Sequence, residues 1–148
     1  PPRRRIRAMR LTAQCYCGAV QIVARADPIT VAYCHCASCR RHSGAPVSAF
    51  AAFAESDVTM TPEEGPTAGT APGVSRGFCA KCGSPTLARY DYLPGQVYLP
   101  VGLFDDPNAI APESHSHAGE QVTWLCLADG LPRDSASGRT RLMDAGTL

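Results

Sequence analysis

Seven of the eight cysteines in this 148-residue chain fall in three tight groups. They are Cys15-Tyr16-Cys17, Cys34-His35-Cys36-Ala37-Ser38-Cys39 and Cys79-Ala80-Lys81-Cys82, and Cys126 stands apart. So many thiols in so short a chain exceed what packing needs. Disulfides are opposed by the spacing, because two cysteines one residue apart make a strained bridge to each other. The same C-x-C and C-x2-C spacings let two thiolates from one turn reach a single ion. Zinc takes four ligands in a tetrahedron with Zn–S of about 2.3 Å, and turns of this size offer two corners each. Gly18 and Gly83 directly follow two of the pairs. They suit knuckles in which the chain curls back so that its amides face the sulfurs. Seven thiolates would be carried by two Zn²⁺ ions, one with four sulfurs and one with three.

Spacing alone leaves two partitions open. One joins Cys15 and Cys17 to Cys79 and Cys82 and leaves Cys34, Cys36 and Cys39 as a three-sulfur site. The other builds a ribbon from Cys36, Cys39, Cys79 and Cys82 and leaves Cys15, Cys17 and Cys34. Four cysteine ligands make a closed, structural site, whereas three leave a corner for water or substrate. Two purely structural ions, or an ordinary reduced cluster at the second site, fit the spacing equally.

Glycine and proline number 13 each, a density of breakers that argues against a helical bundle and for short strands joined by turns. The length fits one domain, and no apolar run is long enough to span a bilayer. Arg3, Arg4, Arg5, Arg7 and Arg10 crowd the first ten positions. Residues 1–8 are expected to be an extension outside the fold, 9–133 the single domain and 134–148 a frayed polar tail. Without Arg3, Arg4, Arg5 and Arg7, 10 basic residues face 13 acidic ones, a net of −3. The body therefore has no basic excess for nucleic acid. With no apolar secretory stretch before the domain, the reducing cytoplasm is the expected compartment.

The pattern predicts strands at Arg10–Gln14, Ala19–Arg25, Ile29–Tyr33 and Val47–Phe53, with a helical turn in the segment Ser38–Pro46. Residues 61–73 read as a long exposed loop. Ser75–Phe78 enters the last cysteine pair, Thr86–Tyr92 and Gln96–Val101 form a hairpin, residues 104–121 are turn-rich, and Val122–Leu127 is a final strand. Trp124, Phe78 and Cys126 are expected in the core. Asp105 and Asp106 read as a turn. His35, between two ligands, is expected to point away from the metal as a satisfied structural histidine. His42 could face substrate or water.

Three flanked motifs carry a resemblance: C-x-C-G-A-V at Cys15–Val20, C-H-C-x2-C-R-x2-S-G-A-P at Cys34–Pro46, and R-x-F-C-x2-C-G-S-P at Arg76–Pro85. With Val101–Pro107, His115, Trp124 and Asp129–Pro132, the chain resembles the glutathione-dependent formaldehyde-activating enzymes and their centromere-protein-V relatives from about Leu11 to Pro132. The resemblance implies an all-β, tent-like fold of small sheets and long loops tied by zinc. It implies the first partition, with structural zinc on Cys15, Cys17, Cys79 and Cys82 and an exchangeable, catalytic zinc on Cys34, Cys36 and Cys39. It implies a carbon–sulfur lyase interconverting S-hydroxymethylglutathione with glutathione and formaldehyde. His115 matches the family pattern but receives no chemistry, and His117 stands where the family often has an aromatic residue.

From the residues, a three-thiolate ion is a soft Lewis acid that favours thiol binding over strong carbonyl activation. Arg40 and Arg41 could grip the carboxylates of a tripeptide thiol, or simply offset thiolate charge. Ser43 could hydrogen-bond a substrate oxygen or cap a turn. Two other functions fit the same cysteines. One is a non-catalytic zinc-binding interaction module, and the other is a thiol-rich metal or redox buffer.

Overall fold

Ten short strands, one α-helix and four short 3-10 turns make up the regular structure of the computed structural model, which describes residues 10–62 and 65–138. In chain order the strands are β1 (Leu11–Gln14), β2 (Gln21–Ala24), β3 (Thr30–Cys34), β4 (Ser48–Ala54), β5 (Val58–Thr61), β6 (Thr67–Ala71), β7 (Val74–Phe78), β8 (Pro85–Tyr90), β9 (Gln96–Pro100) and β10 (Ser114–Ser116); helix α1 (Ala37–Ser43) lies between β3 and β4. The all-β expectation holds. The expected extension at residues 1–8 and positions 139–148 of the expected tail lie outside the described residues.

The strands form a three-stranded sheet, β1-β2-β5, and a seven-stranded sheet ordered β10-β3-β4-β9-β8-β7-β6. Pairing is antiparallel throughout except between β10 and β3. Side chains alternate across a strand, and in the large sheet both faces are used. Val31, Ala51, Phe53, Leu87, Val97 and Leu99 turn one way and pack with Leu11, Ala13, Ile22 and Ala24 of the small sheet. The alternate positions Ala52, Ala88 and Tyr98 form a second cluster with Leu93, against which Phe50 and Tyr90 pack. The first face is the core. The second opens onto a cavity.

Helix α1 is set by its two ends. The sulfur of Cys36 at the N-cap accepts the Cys39 amide at 3.3 Å. Gly44 closes the other end in the left-handed region, at φ 72°, donating its amide to the Arg40 carbonyl. The helical turn expected at Ser38–Pro46 thus begins one residue earlier and stops at the predicted glycine.

Four expectations are overturned. Thr67–Ala71, read as loop, is an edge strand antiparallel to β7, bulged between Ala68 and Ala71. Val122–Leu127, read as strand, is irregular, because its carbonyls are taken by side chains: Gln121 Nε2 donates to Leu125 and Arg133 Nη2 to Leu127. Trp124 is 72% exposed and Cys126 is exposed, neither in the core. The stretch after Arg133 is not frayed through residue 138. The amides of His117, Ala118 and Gly119 donate to the carbonyls of Ala136, Asp134 and Ser135.

Candidate metal centres and the adjoining cavity

All eight cysteines are free thiols. The four ligand atoms of Cys15, Cys17, Cys79 and Cys82 all lie within 4.8 Å of one another. Cys15 and Cys17 sulfurs are 3.6 Å apart, and Cys17 and Cys79 sulfurs 3.9 Å. Four sulfurs at the zinc–thiolate bond length sit about 3.8 Å apart in a tetrahedron, so the set fits an ion. Gly18 and Gly83, at φ 76° and 78°, make the two turns possible. The Val20 amide reaches the Cys15 sulfur at 3.3 Å. Ser84, not anticipated from sequence, sews the turns together: its hydroxyl accepts the Tyr16 amide at 3.1 Å and lies 3.2 Å from the Cys82 sulfur.

The electrostatics of four thiols so placed are those of a crowded set that a cation could relieve. The Ser84 hydroxyl and amide bring Cys82 down to about 5. Cys15 also falls: burial opposes ionisation, but the Val20 amide and the neighbouring thiols outweigh it. Cys17 rises to about 11; the Ala19 amide lowers it, yet burial and the adjacent cysteines prevail. Bare sulfurs cannot all ionise together, and a divalent ion removes that conflict.

The second group sits at the end of β3 and the start of α1. Cys34 and Cys36 sulfurs are 3.5 Å apart, and His117 Nδ1 lies 3.9 Å from the Cys34 sulfur. Those three ligand atoms lie within 4.8 Å of one another and could hold an ion. Cys39 adjoins them, buried, with Arg76 Nη2 3.7 Å from its sulfur. Interaction with Cys34 and Cys39 drops Cys36 to about 2, while its bonds to Cys36 and Cys39, with burial, drive Cys34 far up. The first cysteine pair thus meets the third, as in the first partition, and not Cys36 with Cys39.

Here the large sheet's second face matters. A cavity of about 800 Å³ opens beside Cys34, Cys36 and Cys39, walled by Phe50, Tyr90, Tyr92 and Tyr98 with Arg41, His42 and Arg76. The four-cysteine group lies elsewhere, and only Cys79 of it borders a smaller hollow.

The sequence model of the glutathione-dependent formaldehyde-activating enzymes matches residues 10–120. The chain belongs to this family. Among solved structures, a protein of Rhodobacter sphaeroides has the same fold at 20% identity, with a TM-score of 0.50 over 83% of this chain and 99% of that one. A search of curated proteins finds no match.

Within this formaldehyde-activating-family chain the expected substrate residues separate. Arg41 lines the cavity, but Arg40 and Ser43 do not. Arg40 Nη1 donates to the carbonyls of His35 and Glu120, tying α1 to the turn after β10. Ser43 donates to the Cys39 carbonyl at 2.8 Å and sits 2.9 Å from the Ser48 hydroxyl. Both are spent on framework.

His117 was missed as a candidate ligand. It follows β10 with a left-handed φ of 55°, which turns its ring toward Cys34. The Ser-His-Ser-His alternation was its one available signal. His115 was left without a role, and the structure gives it one. Its Nδ1 lies 2.7 Å from His35 Nε2 and its Nε2 lies 2.8 Å from Asp129 Oδ2. His35 is buried and turns its Nε2 into this relay, as expected of a structural histidine, but it is only half satisfied, since its Nδ1 has no hydrogen-bond partner among the described residues.

No helix among the described residues is long and apolar enough to cross a membrane.

Proposed function

We propose that this chain is a zinc-dependent carbon–sulfur lyase acting on a thiol–aldehyde adduct of the S-hydroxymethylglutathione type, with glutathione and formaldehyde as its thiol and aldehyde. The observation that carries this reading is the placement of Cys34, Cys36 and Cys39 on the wall of an 800 Å³ cavity, while Cys15, Cys17, Cys79 and Cys82 close on themselves. A site meant only to brace the fold has no need of such a space.

Cys15, Cys17, Cys79 and Cys82 would hold a structural zinc. Cys34, Cys36 and Cys39 would hold the second, with His117 within reach of the same position. When bound there, zinc with an open corner lowers the pKa of a thiol and favours its thiolate.

The chain's own residues then do three things. Arg41 and Arg76 present positive charge to a substrate that carries carboxylates. The aromatic wall of Phe50, Tyr90 and Tyr98 excludes water from the reacting centre. His117, its Nδ1 2.8 Å from Ser116 Oγ and 3.9 Å from the Cys34 sulfur, lines the cavity beside the cysteines and helps fix where the substrate thiol enters. In the cleavage direction the adduct's carbon–sulfur bond breaks, the sulfur keeps the electron pair, and the hydroxyl proton leaves as the aldehyde forms. The eight free thiols support a reducing compartment, and we place the protein in the cytoplasm.

The test is the exchange rate between formaldehyde and glutathione, followed by NMR above the uncatalysed background. The zinc-loaded wild type should accelerate it, and Cys36→Ser should lose the acceleration and one metal equivalent while staying folded. A Cys36→Ser protein that binds one ion fewer yet accelerates as wild type does would end the lyase reading. Two tightly held ions with no acceleration would leave an interaction module. Reversible oxidation of Cys34 with Cys36 and no acceleration would leave a redox buffer.

A further inference from the structure

Strand β7 delivers one cation to the inner end of the cavity. Arg76 is 9% exposed, lies in the cavity wall and faces away from the apolar core. Its guanidinium is divided in use. Nη2 lies 3.7 Å from the Cys39 sulfur, and Nη1 is buried with no hydrogen-bond partner among the described residues. Arginine cannot shed its proton to escape burial, and its planar fork is built to donate two parallel bonds to one anion. Cys39 serves only Nη2, and a buried donor such as Nη1 left without a partner is costly to keep. No aspartate or glutamate among the described residues lines the cavity to neutralise it, and the walls around it are aromatic.

We infer that Arg76 is a specificity-determining residue that anchors a carboxylate of the substrate, so that the site selects thiols bearing a carboxylate over neutral thiols of the same shape. Charge compensation of Cys39 alone occupies Nη2 and leaves Nη1 idle. A substrate carboxylate on Nη1 uses both. The wall's carboxylates give the same sign: none is present among the described residues, and away from the cysteines the charged groups that line the cavity are the two arginines Arg41 and Arg76. This inference rests on the thiol-binding half of the lyase reading and not on its bond cleavage.

The experiment compares 3-mercaptopropanoate with its uncharged methyl ester by titration calorimetry on the zinc-loaded protein. Wild type should bind the acid at least tenfold more tightly. Arg76→Gln should reduce that preference to within about threefold. Arg76→Lys, which keeps the charge beside Cys39 but not the fork, should lose most of it with zinc content unchanged. No preference in wild type, or a full preference in Arg76→Lys, would overturn the assignment. Should neither variant fold, a crystal of wild type with 3-mercaptopropanoate decides: its carboxylate lies on Arg76 Nη1, or the inference is wrong. Turnover of the formaldehyde adduct is measured separately. Preference without turnover sinks the lyase reading alone, and turnover without preference sinks the Arg76 assignment alone.

Discussion

His35 Nε2 and His115 Nδ1 lie 2.7 Å apart with both rings fully buried. The ring planes lie within 15° of each other with centroids 5.1 Å apart, and Tyr33 stacks on His115 at 4.7 Å. Asp129, ionised at neutral pH, takes the Nε2–H of His115. His115 Nδ1 is then an acceptor, and His35 must donate from Nε2. Burial, followed by the unfavourable electrostatics of a second charge beside His115, Arg133 and Arg40, keeps His35 neutral. One exposed carboxylate therefore sets the proton positions of two interior rings, and His35 lies between Cys34 and Cys36 in the chain.

His115→Ala removes both bonds and a buried ring. The expected loss is about 2–4 kcal/mol of unfolding free energy in a urea titration of the zinc-loaded protein. His115→Phe should restore packing and recover only part of that loss, because His35 still lacks its acceptor. A His115→Ala protein as stable as wild type would show that the relay is incidental.

Acid should release the segment that Asp129 holds. The Leu131 amide, with His115 and Arg133, keeps the Asp129 carboxyl below its ordinary value. A depressed folded pKa means that the unfolded chain binds more protons in this range. The contribution is complete above about pH 4 and fades as pH falls through the folded value. Trp124, the sole tryptophan, lies in the same segment and reports on it. Its fluorescence should shift as pH falls below about 4 in wild type, with no such step in Asp129→Asn. Identical acid profiles in the two proteins would refute the link.

Cys126 should be the first thiol to react. It is exposed and outside both sulfur groups. Iodoacetamide on the zinc-loaded protein, followed by peptide mass spectrometry, should label Cys126 fully while the other seven stay largely unmodified. Early labelling of Cys34 or Cys79 would mean that their group holds no ion.

Much of this was legible in the sequence. Val and Ile in β2 and the apolar run of β4 announced strands, and Gly44 announced the end of α1. What failed were features that depend on a partner distant in the chain. Thr67–Ala71 carries three small residues and two threonines with no core-facing pattern, and becomes a strand only because β7 pairs with it. Val122–Leu127 has strand composition, but Gln121 and Arg133 satisfy its carbonyls before any strand can. The two cysteine partitions were equally open on spacing, because closure between Cys17 and Cys79 spans 62 residues. His117 was hard to read because its aim toward Cys34 comes from a left-handed backbone that the Ser-His-Ser-His alternation does not announce.

Metal removal should separate the two groups. Cys79 is buried where β7 meets the Cys15 turn, and Cys36 caps a surface helix. Cys79→Ser should lose one zinc equivalent and most of the cooperative unfolding transition. Cys36→Ser should lose the other equivalent and unfold within a few degrees of wild type. Equal destabilisation by both would make the second ion structural as well.

The central claim is that the two sulfur groups hold two ions of different accessibility. Anomalous diffraction at the zinc edge tests it most directly. The account predicts two peaks, one enclosed by Cys15, Cys17, Cys79 and Cys82, and one beside Cys34, Cys36 and Cys39 with a free side toward the cavity. A single peak, or sulfurs of either group joined to each other in a disulfide, would contradict it.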